Sequence, residues 1–370
     1  MDVRSGVHME NFNLEKYLSN GVENIVKGAL KASLVNPKES IYMMKYASYS
    51  KEARKLRQEA EKRQEHIPPF LIASITTKCN LHCKGCYSRE NHACSDTEAQ
   101  NQLRQEEWFH IFEQAKNMGI GFILLAGGEP MMRKDVLLEA GKIPEILFPI
   151  FTNGTMLEKE DRKIFEKYRN LVPILSIEGH KEGTDQRRGE GTYDHLMDGM
   201  EHLNKDGILY GASVTVTKQN KEEVTSNLFL DELSRRGCKA VIYVEYVPVD
   251  KSTKDMAFGD EEREWMNNRL LFLRQKEDPM ILISFPGDEK TSGGCLAAGR
   301  GFFHINAHGG AEPCPFSPYS DTNLRDVSLK EALKSQLFRK LVDGNVLMEE
   351  HQGGCVLFEK QEIVKGFLAL

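Results

Sequence analysis

Six short apolar runs alternate with helical segments in the middle of the chain, and this alternation constrains the fold most. Each run reads as a β-strand, and a stretch such as Arg104 to Met118, closed by Gly119 as a C-cap, reads as a helix. Strand and helix units in series predict an α/β fold with a parallel sheet and right-handed crossovers. The six runs are Phe70–Ile75, Phe122–Ala126, Leu147–Phe151, Val172–Ile177, Ala212–Thr217 and Val241–Val247.

A loop with three cysteines follows the first run. Cys79, Cys83 and Cys86 have the spacing C-x3-C-x2-C, and Tyr87 comes directly after the last of them. Thiolates are soft ligands that suit zinc or iron–sulfur clusters. Three of them can bind three irons of a 4Fe-4S cluster and leave the fourth iron without a protein ligand. A structural zinc site is the alternative, although zinc usually takes four ligands and this loop offers three.

The cysteine loop resembles the signature of the radical S-adenosylmethionine (radical SAM) enzymes. In that family the amine and carboxylate of the cofactor's methionine chelate the open iron of the cluster. One electron then cleaves the sulfonium to methionine and a 5'-deoxyadenosyl radical, which abstracts hydrogen from a C–H bond. The resemblance therefore implies an enzyme with a 4Fe-4S cluster, S-adenosylmethionine and an unidentified substrate. A non-catalytic iron–sulfur electron carrier or sensor is the alternative.

The resemblance extends over about residues 70 to 250 and implies a partial (β/α)6 TIM-like barrel. Turns after successive runs resemble the family's cofactor-binding loops. After the second run, two glycines permit close backbone approach and Glu129 can accept a hydrogen bond from an ammonium group; an ordinary strand-to-helix turn is the alternative. The implied cofactor contacts are Tyr87, Gly127, Gly128, Glu129, Pro130, Thr152, Asn153, Ser176, Glu178, Arg188 and Val216.

Two of these positions carry a particular expectation. The family more often has aspartate where this chain has Glu178, so the role of the longer side chain is open. Arg188 is favoured over Arg187 as the partner of the cofactor carboxylate, because a guanidinium offers a planar fork of donors. A solvent-facing charge is the alternative for either arginine.

No motif assigns a catalytic residue. Cys94 lies in a polar loop just past the three cysteines, where it could ligate iron, donate a hydrogen atom or have no role. Glu245 and Tyr246 close the sixth run and are expected near the mouth of the barrel. They could bind substrate, or they could simply pack at the strand end.

A second set of cysteines lies near the C terminus. Thirteen residues separate Cys295 from Gly309, four more separate Gly309 from Cys314, and Cys355 follows a further helix. This spacing resembles the SPASM/twitch-type auxiliary extension in its shorter form and implies a second 4Fe-4S cluster. No fourth ligand is assigned, and a zinc-stapled cap is the alternative. The candidates for a fourth ligand are Cys94, His304, His308 and Glu312, whereas Cys238 is expected to be a small buried hydrophobe.

The chain is divided into a helical N-terminal leader at 1–69, a barrel at 70–255, and a linker helix with the auxiliary domain at 256–370. Apolar residues from Phe12 to Val35 form one stripe of a helix, and Asn36-Pro37 predicts the start of a second. Glu39, three residues after the Asn36 cap, is expected to complement the dipole of that helix. The stripe can pack on the protein's own core or lie on a membrane or partner. In the linker, Asp260 is expected to cap a helix that runs to Glu277.

Composition restricts the class of partner. A net charge of −6 with both signs scattered along the chain shows no basic stripe, so a nucleic-acid substrate is not expected. Eight cysteines, several beside Gly and Pro, fit metal ligation in a reducing compartment. We expect a cytoplasmic protein, with peripheral membrane contact through the leader left open. The implied partners are an external one-electron donor of the flavodoxin or ferredoxin type and a peptide, lipid or small-molecule substrate.

Overall fold

Nine strands form a single sheet in the computed structural model, which describes residues 13–34, 36–249, 251–275, 280–285, 293–349 and 355–368. All six runs predicted from the sequence form strands. The strands are β1 (Phe70–Ser74), β2 (Phe122–Ala126), β3 (Phe148–Thr152), β4 (Leu171–Ser176), β5 (Gly211–Val216), β6 (Ala240–Glu245), β7 (Ile281–Phe285), β8 (His304–Ile305) and β9 (Ala311–Glu312).

Helices connect and cover the strands. Those of the first half are α1 (Leu14–Ser33), α2 (Pro37–Lys62), α3 (Tyr87–Glu90), α4 (Gln105–Met118), α5 (Lys134–Gly141), α6 (Lys159–Lys167), α7 (Lys181–Arg188) and α8 (Thr192–Lys205). Those of the second half are α9 (Lys221–Val224), α10 (Asn227–Arg235), α11 (Asp260–Arg274), α12 (Leu329–Ala332), α13 (Gln336–Asp343), α14 (Val356–Glu359) and α15 (Gln361–Leu368). Short 3-10 turns lie at Pro130–Met132, Lys251–Met256 and Val346–Met348.

The sheet is the curled partial barrel that the sequence predicted. Its order is β7-β6-β5-β4-β3-β2-β1-β8-β9, and every neighbouring pair is parallel except β8 and β9. Leu71 and Ala73 of β1 belong to the main hydrophobic core, together with Trp108 and Phe112 of the covering helix α4. The carboxyl ends of β1 to β6 consequently meet along one edge of the sheet.

Three strands of the sheet were not predicted. β7 extends the sheet beyond β6, while β8 pairs with β1 and hydrogen-bonds to β9 in an antiparallel pair. Two-residue strands such as β8 and β9 are too short to show a period of two in the sequence. The linker helix α11 begins at Asp260, but its N-cap is Gly259, and the predicted end at Glu277 lies outside the described residues.

The two N-terminal helices form as predicted, although the expected ends at Phe12 and Val35 lie outside the described residues. Asn36 caps α2 and accepts a hydrogen bond from the Lys38 amide. Glu39, expected to complement the helix dipole, is instead buried and forms an ion pair with Arg169 at 2.5 Å. Glu39 thus pairs with a residue that is distant in the sequence, because a buried carboxylate needs a charged partner.

The apolar stripe of the leader packs on the protein's own sheet. Tyr42, Met43 and Tyr46 of α2 are buried with Val26 and Ala29 of α1 in a second hydrophobic cluster. That cluster is completed by Leu147, just before β3, and by Val172 and Ile174 of β4, and Tyr46 and Arg57 of α2 bond to the carbonyls of Gly121 and Gly119, just before β2. The helix pair therefore closes the amino edge of the sheet, opposite the edge where the strands end. Core packing, the first of the two alternatives for this stripe, is confirmed.

Among the residues that pack the helix pair on the sheet, Tyr46 is expected to contribute most to the free energy of unfolding. It is fully buried, and its hydroxyl donates to the Gly121 carbonyl at 2.6 Å. Replacing it with alanine should lower the free energy of unfolding by about 4 kcal/mol, mainly through the cavity that is left. The Tyr46→Phe variant should lose only the hydrogen bond, about 1 kcal/mol. Urea denaturation measures both changes. Ile41→Ala, on the exposed side of the same helix, is the control and should change stability by less than about 0.5 kcal/mol.

Candidate active site at the carboxyl edge of the sheet

The core cysteine loop and the predicted cofactor-binding turns lie at one edge of the sheet. The cysteine loop follows β1, and the Gly127-Gly128 turn follows β2. Thr152, Ser176 and Val216 are the last residues of β3, β4 and β5. This is the edge at which barrel enzymes assemble their sites, because only loops have to change when the chemistry changes.

The turn after β2 is pressed against the cysteine loop. The Gly128 amide donates to the Thr76 carbonyl and the Glu129 amide donates to the Lys78 carbonyl, both at 2.8 Å. A Cβ at Gly127 would lie 2.4 Å from the Thr76 oxygen, and one at Gly128 would lie 2.1 Å from the Lys78 oxygen. These glycines were expected to let the backbone approach a ligand. They are required by close approach to the cysteine loop itself.

Glu129 lies at the centre of the site and is 1% exposed. Its carboxylate accepts hydrogen bonds from the amides of Met131 and Asn153 at 2.9 and 2.7 Å and from the Thr152 hydroxyl at 2.8 Å. Burial nevertheless raises the pKa of this carboxyl above its usual value, and the three hydrogen bonds oppose that shift. Glu129 is thus an oriented acid that a cation would hold in its ionised form.

The loop after β3 also reaches the cysteine loop. The Asn153 side chain donates to the Asn80 side-chain oxygen, and Asn80 in turn donates to the Thr155 hydroxyl, each at 2.8 Å. Thr152 and Asn153, two of the predicted cofactor residues, therefore both bond to Glu129, and Asn153 also bonds to the cysteine loop. Pro130, the fourth residue of the predicted turn, is buried and opens the 3-10 turn after Glu129.

Glu178, in the loop after β4, is a buried carboxylate that pairs with two arginines. The guanidinium of Arg188 donates to one carboxylate oxygen at 2.9 and 2.5 Å, and Arg187 bonds to the same oxygen. The other oxygen accepts from the Thr215 amide at 3.0 Å. Burial lowers the pKa of Arg188, but the combined effect of Glu178, Cys83 and Cys86 raises it overall. The longer side chain of glutamate thus binds Arg188, which the sequence analysis favoured, and Arg187 as well.

The three cysteines of the loop are half-buried, and two of them are polarised by a fourth. Hydrogen bonding from Cys94 is the largest cause that lowers the pKa of Cys79 to about 7 and of Cys86 to about 5. The same contacts raise the pKa of Cys94, whereas burial raises that of Cys83. Thiolates at Cys79 and Cys86 are the form that binds metal.

These thiols fit the donor set of an iron–sulfur cluster. The Arg188 guanidinium is 3.9 Å from the Cys83 sulfur, so a positive charge lies beside the negative thiolates. In the described part of the chain, no three His, Cys, Asp or Glu side chains converge on a point where one metal ion would sit. A 4Fe-4S cluster differs from such a site because each cysteine binds a separate iron.

Of the other predicted residues, Tyr246 contacts the cysteine loop and Glu245 lies at the end of β6. Tyr246 is buried, donates to the Thr253 hydroxyl at 2.7 Å, and packs so closely on Gly85 that a Cβ there would be 2.5 Å from its oxygen. Glu245 forms an ion pair with Arg263 at 2.9 Å. Glu245 lines a small cavity together with Val216, one of the predicted cofactor contacts, and Arg263. Tyr246 therefore packs tightly against the cysteine loop, and the ion pair with Arg263 holds Glu245 at the end of β6.

Tyr87 connects the cysteine loop to the C-terminal part of the chain. Its ring packs edge-on against Phe316 with the ring centres 4.8 Å apart. Phe316 follows Cys314, one of the predicted auxiliary ligands, by two residues. Tyr87, expected as a cofactor contact, is thus also part of the contact between the two cysteine sets.

The segments that carry the second cysteine set are joined by backbone hydrogen bonds. The Cys295 amide donates to the Leu347 carbonyl at 2.8 Å, and the Ala298 amide donates to the Pro313 carbonyl, next to Cys314, at 3.1 Å. Cys355 caps α14, which contacts the turn that contains Leu347. All three cysteines are buried.

The other candidate ligands of a second cluster have different partners. The two ring nitrogens of His304 lie 2.7 Å from the Ser74 hydroxyl and 2.7 Å from the Glu312 carboxylate. Glu312 also accepts from the Asn306 side chain at 2.6 Å. His304 and Glu312 therefore form a buried polar link between β1 and β9. Cys238 lies in the main core, as expected of a small hydrophobe.

Some residues of the site carry no sequence signal. Asn220 donates to the carbonyls of Thr215 and Glu178 at 3.0 and 3.4 Å, which joins the loops after β4 and β5. Ser74 was read only as part of a strand. A lone Asn or Ser has no motif around it, and its role depends on which loop lies beside it in the fold.

Comparison with known proteins agrees with this geometry. The sequence model of the Radical SAM superfamily matches residues 73–229. The part of the chain from β1 to α10 therefore matches the radical SAM superfamily. The chain is 28% identical over 331 residues to the AdoMet-dependent heme synthase of Methanosarcina barkeri, covering 80% of this chain and 90% of that one. It is also 29% identical to the Fe-coproporphyrin III synthase of the same organism, covering 48% of this chain and 44% of that one.

A solved radical SAM structure has the same fold. Streptococcus suis SuiB bound to S-adenosylmethionine superposes with a TM-score of 0.67 at 18% identity, covering 94% of this chain and 86% of that one. SuiB has also been solved with its precursor peptide SuiA. The family model and the curated relatives indicate a radical SAM enzyme, and the family implies a 4Fe-4S cluster and S-adenosylmethionine as its cofactors.

The pairing of Glu178 with two arginines generates a prediction. Glu178→Gln should lower the free energy of unfolding by about 3 kcal/mol, because it leaves two largely buried guanidinium groups without their counter-charge. Glu178→Asp keeps the charge and should cost less. Thermal or urea denaturation measures both. The control is Asp194→Asn, which breaks the exposed Lys181–Asp194 pair and should cost less than about 0.5 kcal/mol. Equal losses for Glu178→Gln and the control would contradict the assigned role.

Proposed function

We propose that Cys79, Cys83 and Cys86 bind the core 4Fe-4S cluster and that the loops after β2 to β5 bind S-adenosylmethionine beside it. The observation that carries this proposal is the direct bonding of the Gly128-Glu129 turn to the cysteine loop at 2.8 Å. That contact places an oriented carboxylate next to three thiols. When bound, the cluster and cofactor supply an electron and a 5'-deoxyadenosyl radical; the protein binds, orients and shields them.

Each charged group has a proposed partner on the cofactor. Glu129 is buried and its carboxylate is oriented by three donors, so it suits the cofactor's amino group. Arg188 lies 3.9 Å from the Cys83 sulfur and suits the cofactor carboxylate, with Glu178 holding its guanidinium in place. Val216, which is buried at the end of β5, suits the adenine.

We propose a second 4Fe-4S cluster at Cys295, Cys314 and Cys355. Backbone hydrogen bonds join the Cys295 segment to the Cys314 segment and to the turn at Leu347, and α14, whose N-cap is Cys355, contacts that turn. Tyr87 and Phe316 connect this region to the core cysteines. In this assignment His304 and Glu312 are not ligands, because each is hydrogen-bonded to other side chains.

The electron donor is proposed to be a flavodoxin- or ferredoxin-type protein that docks on the exposed side of the cysteine loop. Asn80, His82 and Lys84 of that loop are exposed, so the core site lies close to the surface. Such donors are acidic, and Lys84→Glu should slow cofactor cleavage driven by the protein donor while leaving cleavage by dithionite unchanged. Equal slowing with both reductants would place the defect in the site itself.

A small molecule of the tetrapyrrole class is the proposed substrate. The alignment with the heme synthase covers 80% of this chain, and a second relative is named for Fe-coproporphyrin III. The described residues of the leader, 13–34 and 36–69, form helices that close the amino edge of the sheet, on the side away from the site. Peptide and lipid substrates are outcomes of the test below.

The cellular location of the protein is proposed from the state of its cysteines. The eight cysteines are free thiols, so we propose a reducing, cytoplasmic compartment. None of the described helices is long and apolar enough to span a bilayer.

Leu34, Ile41 and Met44 are exposed near Lys31 and Lys38, and we propose peripheral contact with anionic lipid there. Vesicle co-sedimentation of the full chain, with Ile41→Glu/Met44→Glu as the comparison, tests this contact.

The cluster assignment is tested on anaerobically reconstituted protein. We expect about eight irons per chain in the wild type and about four in the Cys79/Cys83/Cys86→Ala variant, with 5'-deoxyadenosine released under reductant only by the wild type. The Cys295/Cys314/Cys355→Ala variant should also keep about four irons and should keep cofactor cleavage. Cys238→Ala is the matched control and should retain every iron. Zinc in place of iron, or clusters without cofactor cleavage, would contradict the proposal.

The substrate is tested by asking what accelerates cofactor cleavage. Iron coproporphyrin III should increase the yield of 5'-deoxyadenosine over the substrate-free reaction and should itself change in mass. A precursor-type peptide and a lipid extract are the comparison arms. Acceleration by either of those, with none by the porphyrin, would reject the tetrapyrrole class and leave the cluster assignment intact.

A further inference from the structure

A chain of hydrogen-bonded side chains ends at a serine hydroxyl on β1. The two ring nitrogens of His304 lie 2.7 Å from the Ser74 hydroxyl and 2.7 Å from one oxygen of the Glu312 carboxylate. Asn306 donates to the other oxygen of Glu312 at 2.6 Å. His304 and Glu312 are each 5% exposed, whereas Ser74 is only partly buried. The chain thus runs from a buried carboxylate to a hydroxyl that solvent can reach.

Strand alternation and register show which face of the sheet Ser74 occupies. Leu71 and Ala73 belong to the main core between the sheet and its covering helices, so the alternate residues of β1 point to the inner face of the partial barrel. Ser74 pairs with Ala126, the last residue of β2, and both are partly exposed. The Ser74 hydroxyl therefore lies inside the partial barrel, close to the turn that carries Glu129.

Apolar side chains form much of the same inner face. Leu124 of β2 and Val244 of β6 are partly exposed, and Val244 pairs with Phe285 of β7. The ring centres of Phe285 and Phe302 are 5.4 Å apart, and those of Phe302 and Phe70 are 5.1 Å apart. Aromatic side chains from β7, from the segment before β8 and from β1 thus meet inside the barrel. Such an apolar wall with one oriented polar group suits a flat apolar ligand that carries a polar substituent.

The groups assigned to the cofactor lie elsewhere along the sheet. Glu129, Arg188 and Val216 belong to β5 and to the segments after β2 and β4. His304 belongs to β8, which lies on the other side of β1 from all of these strands. A donor formed by Ser74 and His304 is therefore placed for a second molecule that lies beside the cofactor.

The hydrogen bonds of the chain define what the Ser74 hydroxyl can bind. Glu312 accepts from Nδ1 of His304, so that nitrogen carries a hydrogen. With a second hydrogen on Nε2, His304 donates to the Ser74 oxygen, and the Ser74 hydrogen is then directed to a further acceptor. Hydrogen bonds are strongest when the acceptor is an anionic oxygen.

We propose that Ser74 donates a hydrogen bond to a carboxylate of the substrate inside the partial barrel. The inference rests on the proposed tetrapyrrole class of substrate, because iron coproporphyrin III joins a flat apolar ring to carboxylate side chains. The apolar inner face suits the ring, and the Ser74 hydroxyl suits one of the carboxylates. Ser74 contacts the substrate, whereas His304 and Glu312 are positioning residues that act through Ser74.

The test measures the binding of two probes to the reconstituted full chain by optical titration. Iron coproporphyrin III carries the carboxylates, and its tetramethyl ester lacks them. Ser74→Ala removes the hydroxyl, Ser74→Thr keeps one, and His304→Gln removes the imidazole. The matched control is Ser40→Ala, because Ser40 is also partly exposed and its hydroxyl donates to the Ser33 carbonyl at 2.7 Å in the leader. Iron content is measured first, so that only variants with intact clusters are compared.

We expect Ser74→Ala to bind the acid about tenfold more weakly than the wild type, which is the loss of one hydrogen bond to a charged group. Its affinity for the ester should be nearly unchanged. His304→Gln should show the same selective loss, Ser74→Thr should retain acid binding, and Ser40→Ala should change neither affinity.

Unchanged acid binding in Ser74→Ala would overturn the inference and leave the substrate proposal intact. Equal losses for the acid and the ester would do the same, because they would indicate a general disturbance of the inner face. If the wild type bound neither probe, the tetrapyrrole proposal itself would fail, and this inference would fail with it.

Discussion

Hydrogen bonds between neighbouring loops hold the cysteine loop over the carboxyl edge of the sheet, and the rest of the site depends on them. The turn after β2 bonds to Lys78, the loop after β3 bonds to Asn80, and the Arg187 carbonyl accepts from the Lys84 amide. A loop of three thiolates would otherwise be mobile and mutually repelling. Ordering this loop costs conformational entropy, and hydrogen bonds from several neighbouring loops offset that cost. Each of these bonds also orders the loop that makes it.

The two edges of the sheet serve different purposes. The N-terminal helices bury Tyr42, Met43 and Tyr46 against the beginnings of the strands. This leaves the opposite edge to polar groups such as Glu129 and Glu178, which are buried but bonded to oriented donors. Stability is thus concentrated where no chemistry takes place, and the charged groups of the site are supported by a rigid frame.

The C-terminal part of the chain is joined to the barrel by specific contacts. β8 adds to the sheet beside β1, His304 bonds to Ser74 and Glu312, and Phe316 packs on Tyr87. Tyr87 directly follows the core cysteine loop, and Phe316 follows Cys314 by two residues. The same contacts that fix the C-terminal part on the barrel therefore bring the second cysteine set towards the first.

The sequence by itself determined the strand alternation, the three-cysteine loop and the Gly-Gly-Glu-Pro turn. Each is encoded within a few neighbouring residues, so its periodicity or spacing can be read directly. The tertiary structure alone decided that the glycines face the cysteine loop and that Glu39 pairs with Arg169. It also decided that Glu178 binds two arginines and that the segment around Cys94 bonds to the cysteine loop. These outcomes depend on which distant segments become neighbours in the fold. In a parallel sheet, neighbouring strands are joined by long crossover connections, so no short stretch of sequence shows which residues will be in contact.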